Sequence, residues 1–228
     1  MANPPRFKFE LRRNVSYSKE NAAIYDKLKS NSASPFHTLP MTKIFINAMA
    51  LGIRKNSHLE LKDKVPQISC EAFTDEEKWM IIAAYMKKNP KLGVRALFEP
   101  DAILDLAEKY ANAGIKYLDI IYEETTEPPG TSPLNYEKRE GDYFCVGCGT
   151  KLFKSKQKYE SRSGWPSFFE ALPNVFETKI DNLIGSPRTE YHCKKCGGHH
   201  GHIFNDGPKP TGKRYCNNGA CLVFRPKI

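Results

Sequence analysis

Four cysteines stand in two CxxC pairs, Cys145-Val146-Gly147-Cys148 and Cys193-Lys194-Lys195-Cys196, and a fifth, Cys216, follows the last of them by 20 residues. Thiolates at this spacing clamp one ion from two tight turns, the pattern of a tetrahedral structural zinc site. Gly149 and Gly197 follow the second cysteine of each pair, where the backbone has to turn back close to the ion. A closed four-sulfur set leaves no open coordination position, so such a metal holds structure and does no chemistry. Two redox CxxC motifs or an iron–sulfur cluster are the competing readings of the same four residues. Cys216 is left over. It lies beside Arg214 and downstream of the histidine pair His199 and His202. The pattern separates a structural metal from a reactive thiol; an inert buried cysteine is the alternative reading of Cys216 taken alone.

The elements that must position these residues differ between the two halves of the chain. Before about residue 118 the apolar spacing is helical. Ser18 to Leu28 and Lys43 to Arg54, the latter capped by Thr42, read as helices. Thr74-Asp75-Glu76-Glu77 supplies a cap and an acidic first turn for a helix to about Lys88. Pro100-Asp101 opens another that should end near Gly114. Phe7 to Leu11 alternates like a short strand, Lys62 to Pro66 reads as a loop, and Tyr117 to Tyr122 as a strand or a helical continuation. Thr126 to Pro133, with three prolines and a glycine, is the linker-like stretch. After it, short aromatic segments punctuated by glycine indicate strands. The expectation is an α+β chain with a mostly helical domain at 1–118 and a mostly β domain at 119–228.

Composition narrows the class. The chain has 228 residues, a 40% hydrophobic fraction and seven cysteines. No segment approaches the roughly 20 consecutive apolar residues of a membrane helix. No apolar run of signal-peptide type follows Met1-Ala2-Asn3-Pro4, so a cytoplasmic protein is expected, and there paired CxxC motifs mean metal before they mean disulfides. The net charge of +9 is spread: residues 1–125 hold 19 Lys/Arg against 16 Asp/Glu, and residues 126–228 hold 16 against 10. With no dense basic block, nucleic acid is a weak candidate partner.

The remaining motifs are Ser163-Gly164-Trp165-Pro166-Ser167-Phe168, Arg188-Thr189-Glu190, Gly197-Gly198-His199-His200-Gly201-His202-Ile203-Phe204, Asp206-Gly207-Pro208 and Arg214-Tyr215-Cys216-Asn217-Asn218. In this order, and with both CxxC pairs, they resemble the methionine sulfoxide reductase B family, over residues 126–224. The resemblance implies an antiparallel, barrel-like β core with a structural Zn²⁺ on Cys145, Cys148, Cys193 and Cys196. It implies reduction of methionine-R-sulfoxide, free or protein-bound, by thiolate attack of Cys216 on the sulfoxide sulfur. Arg214 would share a strand face with Cys216, and a cation there lowers a thiol pKa. His199 and His202 match the family's active-site histidines and would deliver the proton or polarise the oxygen; Asn218 would help orient the site. Trp165 would form an apolar wall for the substrate methyl group. His200 reads as a solvent-exposed or packing position, and Asp206 as a loop-fixing residue.

The chain departs from the family in its recycling thiol. Attack leaves a sulfenic acid that a second thiol must resolve. Many family members carry that thiol immediately before Gly-Trp-Pro-Ser-Phe, where this sequence has Ser163. On one continuous strand, Cys221 would sit roughly 16 Å from Cys216 on the opposite face, whereas a disulfide needs Cα atoms within about 7 Å. Cys70 belongs to the other domain and reads as a core residue. An external reductant, a small thiol or a thioredoxin-like protein, is therefore expected. The role of residues 1–118 is not legible. The rival functions are a zinc-scaffolded sensor in which Cys216 only registers oxidation, and a nucleic-acid-binding protein; neither needs the full Trp165, His199, His202, Arg214, Cys216 and Asn218 set.

Overall fold

Two helices in the first half of the chain meet backbone to backbone, at glycines. A Cβ on Gly52 would stand 2.1 Å from the Tyr110 carbonyl oxygen, and one on Gly114 would stand 1.7 Å from that of Ala48. The computed structural model describes residues 9–32, 34–182 and 187–227. Its contacts divide into two units, Met1–Lys116 and Tyr117–Ile228.

The first unit contains β1 (Val15–Ser18), α1 (Ala22–Ser30), α2 (Met41–Arg54), β2 (Lys64–Ile68) and α3 (Asp75–Lys88). A long helix, α4 (Pro100–Tyr122), begins there and runs across the boundary. Gly114, expected to end a helix, lies inside α4: it admits a neighbouring backbone and caps nothing. Tyr117 to Tyr122 is accordingly helical.

Thr74 caps α3 as its sequence indicates, in a reciprocal box: the Glu77 amide donates to Thr74 Oγ1 (3.3 Å) and the Thr74 amide to Glu77 Oε2 (2.9 Å). Thr42 is not the cap of α2. That position is Pro40, and Thr42 lies buried inside the helix with its hydroxyl donating to Glu77 Oε1. The expected loop at Lys62 to Pro66 is mostly strand. Pro66 is tolerated because β1 and β2 form a ladder of two, so each has an open edge. Of the expected strand at Phe7 to Leu11, residues 7 and 8 lie outside the described set and 9–11 are irregular. Cys70, expected in the core, is only half-buried.

The second unit is antiparallel sheet. Its strands are β3 (Gly141–Cys145), β4 (Lys151–Lys154), β5 (Lys158–Tyr159), β6 (Ser167–Phe168), β7 (Phe176–Asp181), β8 (Arg188–Cys193), β9 (His199–Phe204), β10 (Arg214–Asn217) and β11 (Leu222–Pro226). They form a six-stranded sheet, β5-β6-β10-β9-β8-β7, and a three-stranded sheet, β11-β3-β4. Among the described residues neither closes on itself, so the barrel-like expectation is corrected to two open sheets. The physical reason is that β5 and β6 contribute only two residues each, too short to carry pairing around. The core is aromatic. Phe153 stacks on Phe168 at 4.0 Å, and Tyr143 meets Phe168 edge-on at 4.9 Å. Residues 216–221 are not one strand: β10 stops at Asn217, a 3₁₀ turn covers Gly219–Cys221, and β11 continues in the other sheet.

The glycine contact between α2 and α4 is directly testable. Gly114→Ala forces a methyl group into a carbonyl and should destabilise the first unit by about 2–3 kcal/mol, the cost of overpacking. Urea denaturation followed by helical circular dichroism measures it; a loss below about 0.5 kcal/mol, the size of a neutral surface change, would mean the helices do not touch there.

Candidate functional site

The β3–β4 turn carries Cys145 and Cys148, and the β8–β9 turn carries Cys193 and Cys196. Gly149 (φ +76°) and Gly197 (φ +70°) take the left-handed conformation and close these turns, their amides donating to the carbonyls of Cys145 (2.9 Å) and Cys193 (2.8 Å). All four sulfurs lie within 4.8 Å of one another, with Cys145–Cys196 at 3.7 Å and Cys148–Cys193 at 3.5 Å. A tetrahedron of sulfurs about 2.3 Å from a central ion has edges of about 3.8 Å. The cluster therefore has the donor set and the spacing to hold a metal ion.

Cys216 sits on β10, opposite Ser167 of β6 and His202 of β9. Its backbone is clamped by Gly201 (φ +146°): a Cβ there would fall 2.0 Å from the Cys216 carbonyl oxygen, so only glycine lets the strands approach so closely. A cavity of about 100 Å³ is lined by Cys216, Trp165, His202, Asn218, Phe204 and Arg188. Each wall has its own support. Trp165 Nε1 donates to the Glu127 carbonyl at 2.9 Å. The Glu127 amide donates to Asn218 Oδ1 at 3.2 Å, and the Glu127 carboxylate accepts from the amides of Gly219 and Ala220. Asn218 and Glu127 thus fasten the segment entering the unit to the turn just beyond Cys216.

The charges behave less simply than their spacing suggested. Burial pushes the Cys216 thiol above its ordinary value, outweighing the Ser163 hydroxyl and Arg214, which both pull it down. Arg214 is also engaged elsewhere: its Nε and Nη2 each donate to the Asp206 carboxylate at 2.8 Å, and its guanidinium lies 4.3 Å over the Phe204 ring. Asp206 is thereby a fixing residue. His202 Nε2 lies 2.8 Å from Asp181 Oδ2, and Arg188 pairs with the same oxygen. Burial lowers the His202 pKa, with Asp181 opposing it. His199 is buried, its ring 5.8 Å from that of His202 and its Nδ1 against the Glu190 carboxylate; it does not line the cavity. His200 is a packing residue, buried against Phe176 and Tyr191, and burial pushes its pKa down to about 4.

The structure thus brings Cys216, Trp165, His202 and Asn218 to one cavity, with His199 behind and Arg214 turned to Asp206. Sequence reasoning missed Asp181, Glu190 and Glu127. Glu190 lay in a noted motif, but a carboxylate on a strand announces no partner until its neighbours are known.

A family model described as the SelR domain matches residues 115–226. A "Peptide methionine sulfoxide reductase MsrB" from Leptospira interrogans is 49% identical over 107 residues, 46% of this chain and 82% of that protein. The MsrB family is the family of this chain. Similar proteins include the "Peptide methionine sulfoxide reductase MsrB" of Pseudomonas putida, 47% identical over 104 residues, 45% of this chain and 77% of that protein. They also include the "Methionine-R-sulfoxide reductase B3, mitochondrial" of Mus musculus, 46% identical over 108 residues, 47% of this chain and 43% of that protein. The SelR domain match falls on the unit that carries the four-sulfur cluster and the Cys216 cavity.

The metal cluster makes one demand. Cys148→Ser should remove the tightly bound metal and lower the stability of the second unit by several kcal/mol, because metal binding and folding are coupled. Metal analysis with thermal melts tests this; a folded protein without metal, equal in stability to the variant, would contradict it.

Proposed function

We propose that this protein reduces methionine-R-sulfoxide to methionine, free or within proteins, with Cys216 as the attacking thiolate. The observation that carries the reading is the position of Cys216 in a cavity walled by Trp165, His202 and Asn218, in a chain of the MsrB family. The thiolate sulfur attacks the sulfoxide sulfur, and the sulfur–oxygen bond breaks. Methionine departs, and the oxygen, with one proton, remains on Cys216 as a sulfenic acid. His202, held through Nε2 by Asp181, is placed to polarise the oxygen or pass on the proton, with His199 behind it. The Trp165 ring, fixed by its bond to Glu127, gives the methyl group an apolar wall and selects the epimer by shape. Arg214, anchored on Asp206, favours the thiolate.

We assign the four-sulfur cluster to Zn²⁺. Four thiolates at this spacing are a closed, structural set, and the ion would hold the two turns together. We place the reaction in residues 119–228. No described helix is long and apolar enough to cross a membrane; the need for a reducing thiol fits the cytoplasm.

Turnover of the separated R and S epimers of a methionine sulfoxide substrate, with a dithiol reductant, tests the reading. The R epimer should turn over and the S epimer should not, and Cys216→Ser should lose all activity while keeping its metal and fold. Because the folded thiol titrates above its ordinary value, thiolate accumulates late, and the rate should keep rising with pH past the ordinary thiol range. Activity of Cys216→Ser within tenfold of the parent would place the nucleophile elsewhere.

Recycling requires two external thiol equivalents. The first displaces the hydroxyl as water and leaves a mixed disulfide on Cys216; the second releases the free thiol. Ser163 Oγ lies 3.9 Å from Cys216 Sγ, within reach of a resolving thiol but chemically inert. Cys221 is fully buried in the turn before β11. Cys221→Ser should therefore retain most activity with a small dithiol. Ser163→Cys should trap a disulfide with Cys216 after one equivalent of substrate. Mass spectrometry decides: a Cys216–Cys221 disulfide as the main product of the parent would refute this route.

A further inference from the structure

We propose a second metal site on the β8–β9 hairpin, in which Glu190, His192 and His199 bind a divalent cation of zinc-like character. One atom from each, Glu190 Oε1, His192 Nε2 and His199 Nδ1, lies within 4.8 Å of the others. His192 Nε2 is 3.3 Å from Glu190 Oε1, and His199 Nδ1 is in contact with the same oxygen. Register explains the meeting: His192 pairs with His199 across the ladder, and Glu190 stands two residues before His192 on the same strand face. Glu190 and His199 are 2% and 1% exposed, and the His192 side chain, at 15%, leaves an edge open to solvent.

The hydrogen bonding of this cluster is unfinished. All three convergent atoms are buried without a hydrogen-bond partner of adequate geometry, and so is His199 Nε2. His192 Nδ1 lies 3.2 Å from the Gly197 carbonyl, which can only accept, so Nδ1 donates there and Nε2 is the nitrogen left to face Glu190. Lys179 neutralises only the other side of the carboxylate, with Nζ 3.4 Å from Glu190 Oε2. A cation shared by the three atoms would give each of them a partner. Two imidazoles and one carboxylate are a donor set for Zn²⁺ and its borderline neighbours, and a backbone carbonyl on the far nitrogen is how ligating histidines are oriented. The set shares no residue with the four-sulfur cluster. Its consequence for turnover rests on the function proposed above: a filled site occupies His199 Nδ1 and silences the reaction.

The test uses the full chain with its four-cysteine site loaded, freed of excess metal and titrated with Zn²⁺ against a chromogenic chelator. A second equivalent per chain is expected, with turnover falling in step. His192→Gln and Glu190→Gln should each weaken that equivalent at least tenfold and keep the first. His192→Arg, which supplies a cation in place of a ligand, should do the same if glutamine disturbs the fold. Cys216→Ser should keep both equivalents, and Co²⁺ in the second site should show no thiolate charge-transfer band. A stoichiometry that stays at one overturns the site. So does a second equivalent that survives both glutamine variants or disappears in Cys216→Ser. The metal count needs no turnover, so failure of the proposed reaction and failure of this site are separately visible.

Discussion

The second unit depends on a cross-link between its two sheets. Cys145 and Cys148 lie on the turn between β3 and β4, in the three-stranded sheet, and Cys193 and Cys196 on the turn between β8 and β9, in the six-stranded sheet. Bringing four sulfurs within 4.8 Å joins sheets that no described strand closes into a barrel. A metal ion held there would add binding energy to a core too small to supply it by packing alone. The same β8–β9 hairpin carries Glu190, His199 and His202, so the cluster that holds the sheets also fixes the register of the side chains behind the cavity. The chain then leaves Cys216 through one short turn, and Leu222 pairs with Cys145. The thiol and the cluster are thus tied through the backbone.

Within that frame the cavity is governed by burial more than by charge. A thiol held in low dielectric resists ionisation, and the nearby guanidinium is largely satisfied by Asp206. The environment therefore keeps the sulfur protonated at rest, while Ser163 and Arg214 lower the cost of the thiolate when a substrate arrives. Chains of carboxylate and cation hold the histidine in the cavity wall: Arg188 holds Asp181 and Asp181 holds His202. Glu190 takes the part of an anchor among His192, His199 and Lys179. Each chain places a buried acid among nitrogen-bearing side chains, and the histidines beside Glu190 pull its carboxyl below the ordinary range against the opposing effect of burial.

The amino-acid sequence determined what depends on residue type and short spacing. Four thiols in two CxxC turns point to a shared ion because tetrahedral sulfur coordination needs that set at that spacing. Thr74 announced α3 because a capping box is complete within four residues. The motifs around Trp165 and Cys216 carried the family because they form an ordered series. Tertiary structure decided what depends on contact between distant residues. Gly114 reads as a helix end until Ala48 is seen pressed against it, and Thr42 reads as a cap until Glu77 is seen accepting its hydroxyl. Arg214 stands two residues from Cys216 in sequence, yet its charge is shared with Asp206 across a turn. Glu190 and His192 are ordinary strand residues until register sets them against His199. The reason is common to all four: a side chain's chemistry is written in its type, but its ionisation and its partner are set by neighbours that only the fold supplies.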